Sequence, residues 1–152
     1  METLLALAIV GLLAATAIPV YQGATAKAQR MALAADMTEL YSAFMRYNID
    51  HGRFPTDSGA GAFNTSTVSP LTTEGYFRSV ESLQRKLTNN RILFYWAPDW
   101  NGPDSDFIVL ATSASEPNVY VYAMHYDFGG VFAYDGVYFL IDGQLVRSDG
   151  KT

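Results

Sequence analysis

The chain has 152 residues, a formal net charge of −5, only 16 % charged residues and no cysteine. That is the size of one domain; the lack of cysteine excludes disulfides, thiolate catalysis and Cys-based zinc sites. The acidic balance leaves no broad basic footprint, so no specific nucleic-acid partner is expected, while ten Tyr and nine Phe suit subunit contacts.

Residues 1–21, METLLALAIVGLLAATAIPVY, dominate the reading. No charge occurs from Thr3 to Val20, and a helix of that length is about 27 Å long, close to the roughly 30 Å hydrocarbon core of a bilayer. Glu2, Gly11 and Pro19 break the apolar run. In a membrane helix a central carboxylate costs about 2.5–3.5 kcal/mol; relative to alanine, glycine costs about 1 kcal/mol and an interior proline about 3. Together they point to a helix with a use beyond anchoring. A secretory signal peptide is one rival reading, with Ala14-Ala15-Thr16-Ala17 resembling a cleavage site. The acidic start and the long apolar core argue against it. A plain single-pass anchor is another rival.

Helical signal continues through residues 22–52. Good helix formers dominate, and Leu33, Met37, Leu40, Phe44 and Tyr47 recur on one face, with Thr38, Glu39, Ser42 and Arg46 on others. This half is amphipathic, its stripe open to receive a sheet, with Gly52 and Pro55 as stop signals. The whole reads as one helix of about 50 residues, roughly 75 Å long.

Residues 57–73 are rich in Gly, Ser and Thr and read as a surface loop. Asn64-Thr65-Ser66 fits an N-glycosylation sequon, and Ser66, Thr67 and Ser69 are candidate O-glycan positions; plain solvent exposure is the simpler reading. Residues 79–87 predict a short helix capped by Ser79, burying Val80, Leu83 and Leu87. Beyond Asn90 the period changes to strands: 92–96, 107–111, 119–124, 131–134, 137–141 and 144–146. Asp135-Gly136 and Asp142-Gly143 predict two-residue hairpin turns. The expected fold is α+β, a ladle with one long N-terminal helix packed on a C-terminal antiparallel sheet. Its parts are a hydrophobic half-helix (1–21) and a globular domain (22–152), itself made of helix 22–52, loop and short helix 53–90, and sheet 91–148.

Chemistry is sparse. The two histidines, His51 and His125, are far apart in sequence without metal-ligand spacing, and no GxSxG, P-loop or dinucleotide fingerprint occurs. No enzymatic activity, cofactor or metal is expected. Oxygens of Asp99, Asn101, Asp104 and Asp106 are the one calcium-like cluster, but Gly102 and Pro103 favour an inter-strand turn. The aromatic density from Tyr120 onward is what strand residues facing a core require.

Glu2, Gly11 nine residues later and Pro19 eight after that, in an Ala/Leu/Ile-rich run, resemble the N-terminal helix of type IV pilins and type II secretion pseudopilins. Residues 4–22, LLALAIVGLLAATAIPVYQ, match in residue character. Residues 40–56 resemble the family's helix exit, and 70–77 its short buried turn before the sheet. Family chains usually extend further upstream, beginning with an N-methylated Phe, and many close a C-terminal loop with a disulfide that this sequence lacks. The resemblance implies a non-enzymatic subunit held in the inner membrane as a monomer and assembled into an extracellular cell-surface filament. Its implied partners are other copies of itself, the lipid bilayer before assembly, an inner-membrane assembly platform and a prepilin peptidase. It also implies that Glu2 pairs with a neighbour's N-terminus and that Gly11 to Pro19 melts on assembly. Leu4, Leu5, Leu7, Ile9, Leu12, Leu13 and Ile18 are the expected subunit-packing residues. Lys27 and Arg30 follow the apolar run; by the positive-inside rule they favour a cytoplasmic C-terminal side, opposite to the family, and in a filament they are expected to meet acidic faces of neighbours. The alternatives are a pseudopilin and a single-pass protein with a periplasmic binding domain.

Overall fold

The computed structural model describes residues 2–55, 69–77, 92–96, 106–112, 118–127 and 133–149. Helix α1 (Glu2–His51) is followed by α2 (Ser69–Thr73) and five strands: β1 (Ile92–Trp96), β2 (Phe107–Thr112), β3 (Tyr120–Asp127), β4 (Ala133–Ile141) and β5 (Gln144–Arg147). The strands form one antiparallel sheet in the order β1-β2-β3-β4-β5, the expected meander. The long helix and antiparallel sheet make the expected α+β, pilin-like arrangement.

The predicted stripe is the face that packs. Leu33, Met37, Leu40, Phe44 and Tyr47 are all buried, while Thr38, Glu39, Ser42 and Arg46 are exposed. Alternate residues of three strands close over the stripe: Phe107, Val109 and Ala111 from β2, Val121 and Ala123 from β3, Val137 and Phe139 from β4. The two periodicities, 3.6 and 2, thus meet in one core. At its centre Phe44 stacks on Phe107 (centroids 4.7 Å apart) and on Tyr95 (5.1 Å), and Phe54 packs edge-on against Phe107. The Tyr95 hydroxyl, buried with its ring, donates to the Pro55 carbonyl at 2.7 Å. Among the described residues no buried side-chain polar atom lacks a partner.

Helix α1 stops where its sequence says it should. Gly52 adopts φ +70°, the left-handed conformation open to glycine at a helix end, and its N–H donates to the Asn48 carbonyl at 2.7 Å. The last residues of the expected 57–73 loop form α2 instead. Pro70 suits a first helical turn, Leu71 is fully buried, and the N–H of Phe77 returns to the Leu71 carbonyl. The buried turn expected at 70–77 is this segment. The predicted helix at 79–87, and Asn64, Ser66 and Thr67, lie outside the described residues.

The two Asp-Gly pairs, both expected as hairpin turns, differ in role. Asp142 (φ +51°) and Gly143 (φ +77°) both take positive φ and join β4 to β5 in the predicted two-residue turn. Asp135 and Gly136 make no turn; they lie inside β4, opposite His125 and Met124 of β3. Gly136 has φ +125°, and the Arg147 guanidinium lies 3.5 Å from where a Cβ would stand. Glycine is needed there for a backbone conformation within the strand, not for a chain reversal; the Arg147 contact is an ordinary van der Waals one.

Phe44 is the keystone of this core, so Phe44→Ala is expected to cost about 3–5 kcal/mol. A smaller drop in the denaturation midpoint of the full chain in detergent would show that the neighbouring rings collapse into the cavity.

Candidate assembly surface

The globular domain occupies only the second half of α1. Over residues 3–20 every side chain is exposed, and none of the apolar window is covered by the rest of the chain. Leu4, Leu7 and Leu12 are 69 %, 68 % and 69 % exposed, and Leu5, Ile9, Leu13 and Ile18 are exposed with them. Val10 and Val20, outside the expected packing set, join them. At 100° per residue these side chains surround the axis. A helix apolar all round belongs in a core or a membrane. Burying each Leu or Ile gains about 1.5–3 kcal/mol, so this half-helix does not belong in water.

One of its polar interruptions is handled locally. The Thr16 hydroxyl donates to the Leu13 carbonyl at 3.0 Å, which satisfies it without water. Nothing lies within 4 Å of where a Cβ on Gly11 would sit. Crowding within the described chain therefore does not explain this glycine. Pro19 sits inside α1, where it has no N–H to give the Ala15 carbonyl. The helix nevertheless runs unbroken through Gly11 and Pro19, so any melting belongs to another state. Glu2 is the first residue of α1. Lys27 is exposed and Arg30 half-buried, both on the same helix just past the apolar run.

Sequence reasoning missed two polar joints that hold the domain on α1. In the first, the Tyr41 hydroxyl of α1 donates to Asp135 Oδ1 of β4, and His125 Nδ1 of β3 lies 2.9 Å from the same oxygen. Burial alone would push the Asp135 carboxyl up. The Tyr41 and His125 hydrogen bonds, with the charges of His125 and Arg147, outweigh it and hold the group below its ordinary value. In the second, the Tyr76 hydroxyl donates to Asp50 Oδ2 at 2.6 Å, and Arg46 Nη2 donates to the Tyr76 carbonyl at 3.2 Å. The bond to Asp50 pushes the Tyr76 phenol up to about 12. Asp135 was masked by its place in an Asp-Gly pair, and nothing in the sequence marks Tyr76 as the partner of Asp50.

Of the calcium-like cluster, only Asp106 lies among the described residues. Asp106 is buried and its Oδ1 accepts the N–H of Asp127 at 3.3 Å, which ties the start of β2 to the end of β3. Asp99, Asn101 and Asp104 lie outside the described residues.

Among curated proteins, the chain is 33 % identical over 114 residues to the fimbrial protein of Neisseria meningitidis serogroup B. The match covers 66 % of this chain and 65 % of that protein, so the chain spans just under two thirds of the relative's length. No family model matches the chain, and no solved structure matches it.

The Asp135 joint has a defined pH signature. Its carboxyl titrates lower in the folded chain than the ordinary 3.8, so its contribution is complete above that value and is lost as pH falls through the folded value. Asp135→Asn is expected to lower the denaturation midpoint at neutral pH, with the gap to wild type closing in acid. A gap that stays constant with pH would place the cost in packing rather than charge.

Proposed function

We propose, on the premise that this chain is a type IV pilin-like protein, that it is the structural subunit of an extracellular helical filament. The observation that carries this reading is the apolar half-helix, exposed on all sides and rigidly continuous with the helix that seats the globular domain. Such a segment needs a bilayer or other copies of itself, and a filament subunit uses both in turn. As a monomer it rests in the inner membrane with residues 3–20 across the hydrocarbon. In the filament Leu4, Leu5, Leu7, Ile9, Leu12, Leu13 and Ile18 pack against neighbouring helices. The similarity to a fimbrial protein supports a structural role rather than catalysis.

Glu2 is assigned to register. At a helix start a carboxylate is favoured by the macrodipole, but in an apolar bundle it needs a partner, and the terminal amine of an adjacent subunit supplies one. Gly11 to Pro19 is the stretch where helical hydrogen bonding is weakest, so it is the place to unwind once lipid is exchanged for protein. Lys27 and Arg30, just beyond the apolar run, face acidic surfaces of adjacent domains. Processing by a prepilin peptidase and extraction by an inner-membrane assembly platform complete the scheme.

Electron microscopy of the sheared extracellular fraction, with intact mass of the polypeptide in it, tests this reading. Thin filaments built from this chain are expected; a chain confined to the membrane fraction would favour a pseudopilin or an anchored domain. Glu2→Ala is expected to abolish filaments while leaving the circular dichroism of the domain unchanged. Normal filaments from that variant would remove Glu2 from the mechanism.

A further inference from the structure

The last turn of α1 carries an arrangement that filament assembly does not require. His51 Nε2 lies 3.0 Å from Glu74 Oε2, and His51 Nδ1 lies 3.1 Å from the carbonyl oxygen of Tyr47. Both ring nitrogens therefore face acceptors. A neutral imidazole donates from one nitrogen only, whereas the imidazolium donates from both. The surroundings favour the cation in two further ways. The ring stacks on Tyr47, centroids 4.1 Å apart and planes 10° from parallel, a position in which a cation is attracted to the aromatic face. It also sits in the final turn of a 50-residue helix, where the macrodipole favours positive charge.

Glu74 belongs to the turn after α2, so this contact joins the end of α1 to the 74–76 segment. Other charged and titratable groups meet there: Asp50, which accepts the Tyr76 hydroxyl; Arg46, which donates to the Tyr76 carbonyl; and Tyr76 itself, its ring edge-on to His51. Histidine is the side chain whose charge changes near neutrality, and His51 is the histidine of this joint.

We propose that His51 is a proton-operated fastener between α1 and the 74–76 turn. Protonated, it holds Glu74 and the Tyr47 carbonyl together; neutral, it gives up one of the two and the turn loosens. The fastening is present at the acidic end of the histidine range and weakens as pH rises through it. This inference does not depend on the filament reading, because it concerns how one chain holds its own turn.

The test is amide hydrogen exchange on the full chain in detergent micelles. Amides of Glu74, Gly75 and Phe77, which close the turn onto Pro70, Thr72 and Leu71, report on the fastener, and Val109 and Ala111 of β2 serve as references. After correction for intrinsic rates, protection at the turn is expected to fall roughly three- to tenfold between about pH 5.5 and about pH 8, with the references level. The step is expected to vanish in His51→Gln and in Glu74→Gln, the second of which leaves the ring in place. Turn protection independent of pH in the wild-type chain, or a step that survives in His51→Gln, would overturn the proposal.

Discussion

Everything in this molecule depends on one hydrogen-bond ladder running through α1. A helix satisfies its backbone polar groups within itself, so a single segment can pass from an apolar surrounding to an aqueous one without exposing an unpaired amide to lipid. The exposed apolar half and the half that carries the domain are therefore one continuous helix. Where the ladder is weakest, at Gly11 and Pro19, the chain is still helical. That places the weak stretch within the exposed half, away from the core around Phe44.

Seating of the sheet combines apolar contact with a few polar ties. The stripe from Leu33 to Tyr47 supplies the area, and the ring stack of Tyr95, Phe44 and Phe107 supplies shape. Such a face alone tolerates sliding of a strand ladder along a helix. The directional bond from Tyr41 to Asp135 resists it, because a hydrogen bond weakens steeply with misalignment; Arg46 ties the 74–76 turn to α1 in the same way. Area accounts for most of the stability, and the polar joints account for position.

The fold was largely legible in the sequence, and for identifiable reasons. Apolar residues at helical spacing from Leu33 to Tyr47 marked the buried face because a helix has no other way to place them together. The period-two runs marked the strands, and the Asp142-Gly143 turn followed from the positive φ that such a turn demands. Asp135-Gly136 misled because a glycine at positive φ also serves inside a strand, with no chain reversal following it. Helix α2 was hidden by loop-like composition; its formation rests on the burial of Leu71, a tertiary effect. The apolar half was legible by composition alone. The polar joints were not, since they pair residues as far apart in sequence as Tyr41 and Asp135, and no periodicity records such a meeting.

The meander order of the sheet bears on how the chain reaches its shape. Each strand pairs only with its neighbours in sequence, so strand pairing closes short loops and carries a small entropic cost. Docking of the sheet onto α1 is different, because it brings together segments separated by most of the domain. Low contact order favours fast folding and distant contacts slow it, so the ribbon of strands is positioned to form first and the helix contact to close last. Any strand ribbon formed before that contact would present the apolar inner faces of β2, β3 and β4 to proteases and to the wrong surfaces.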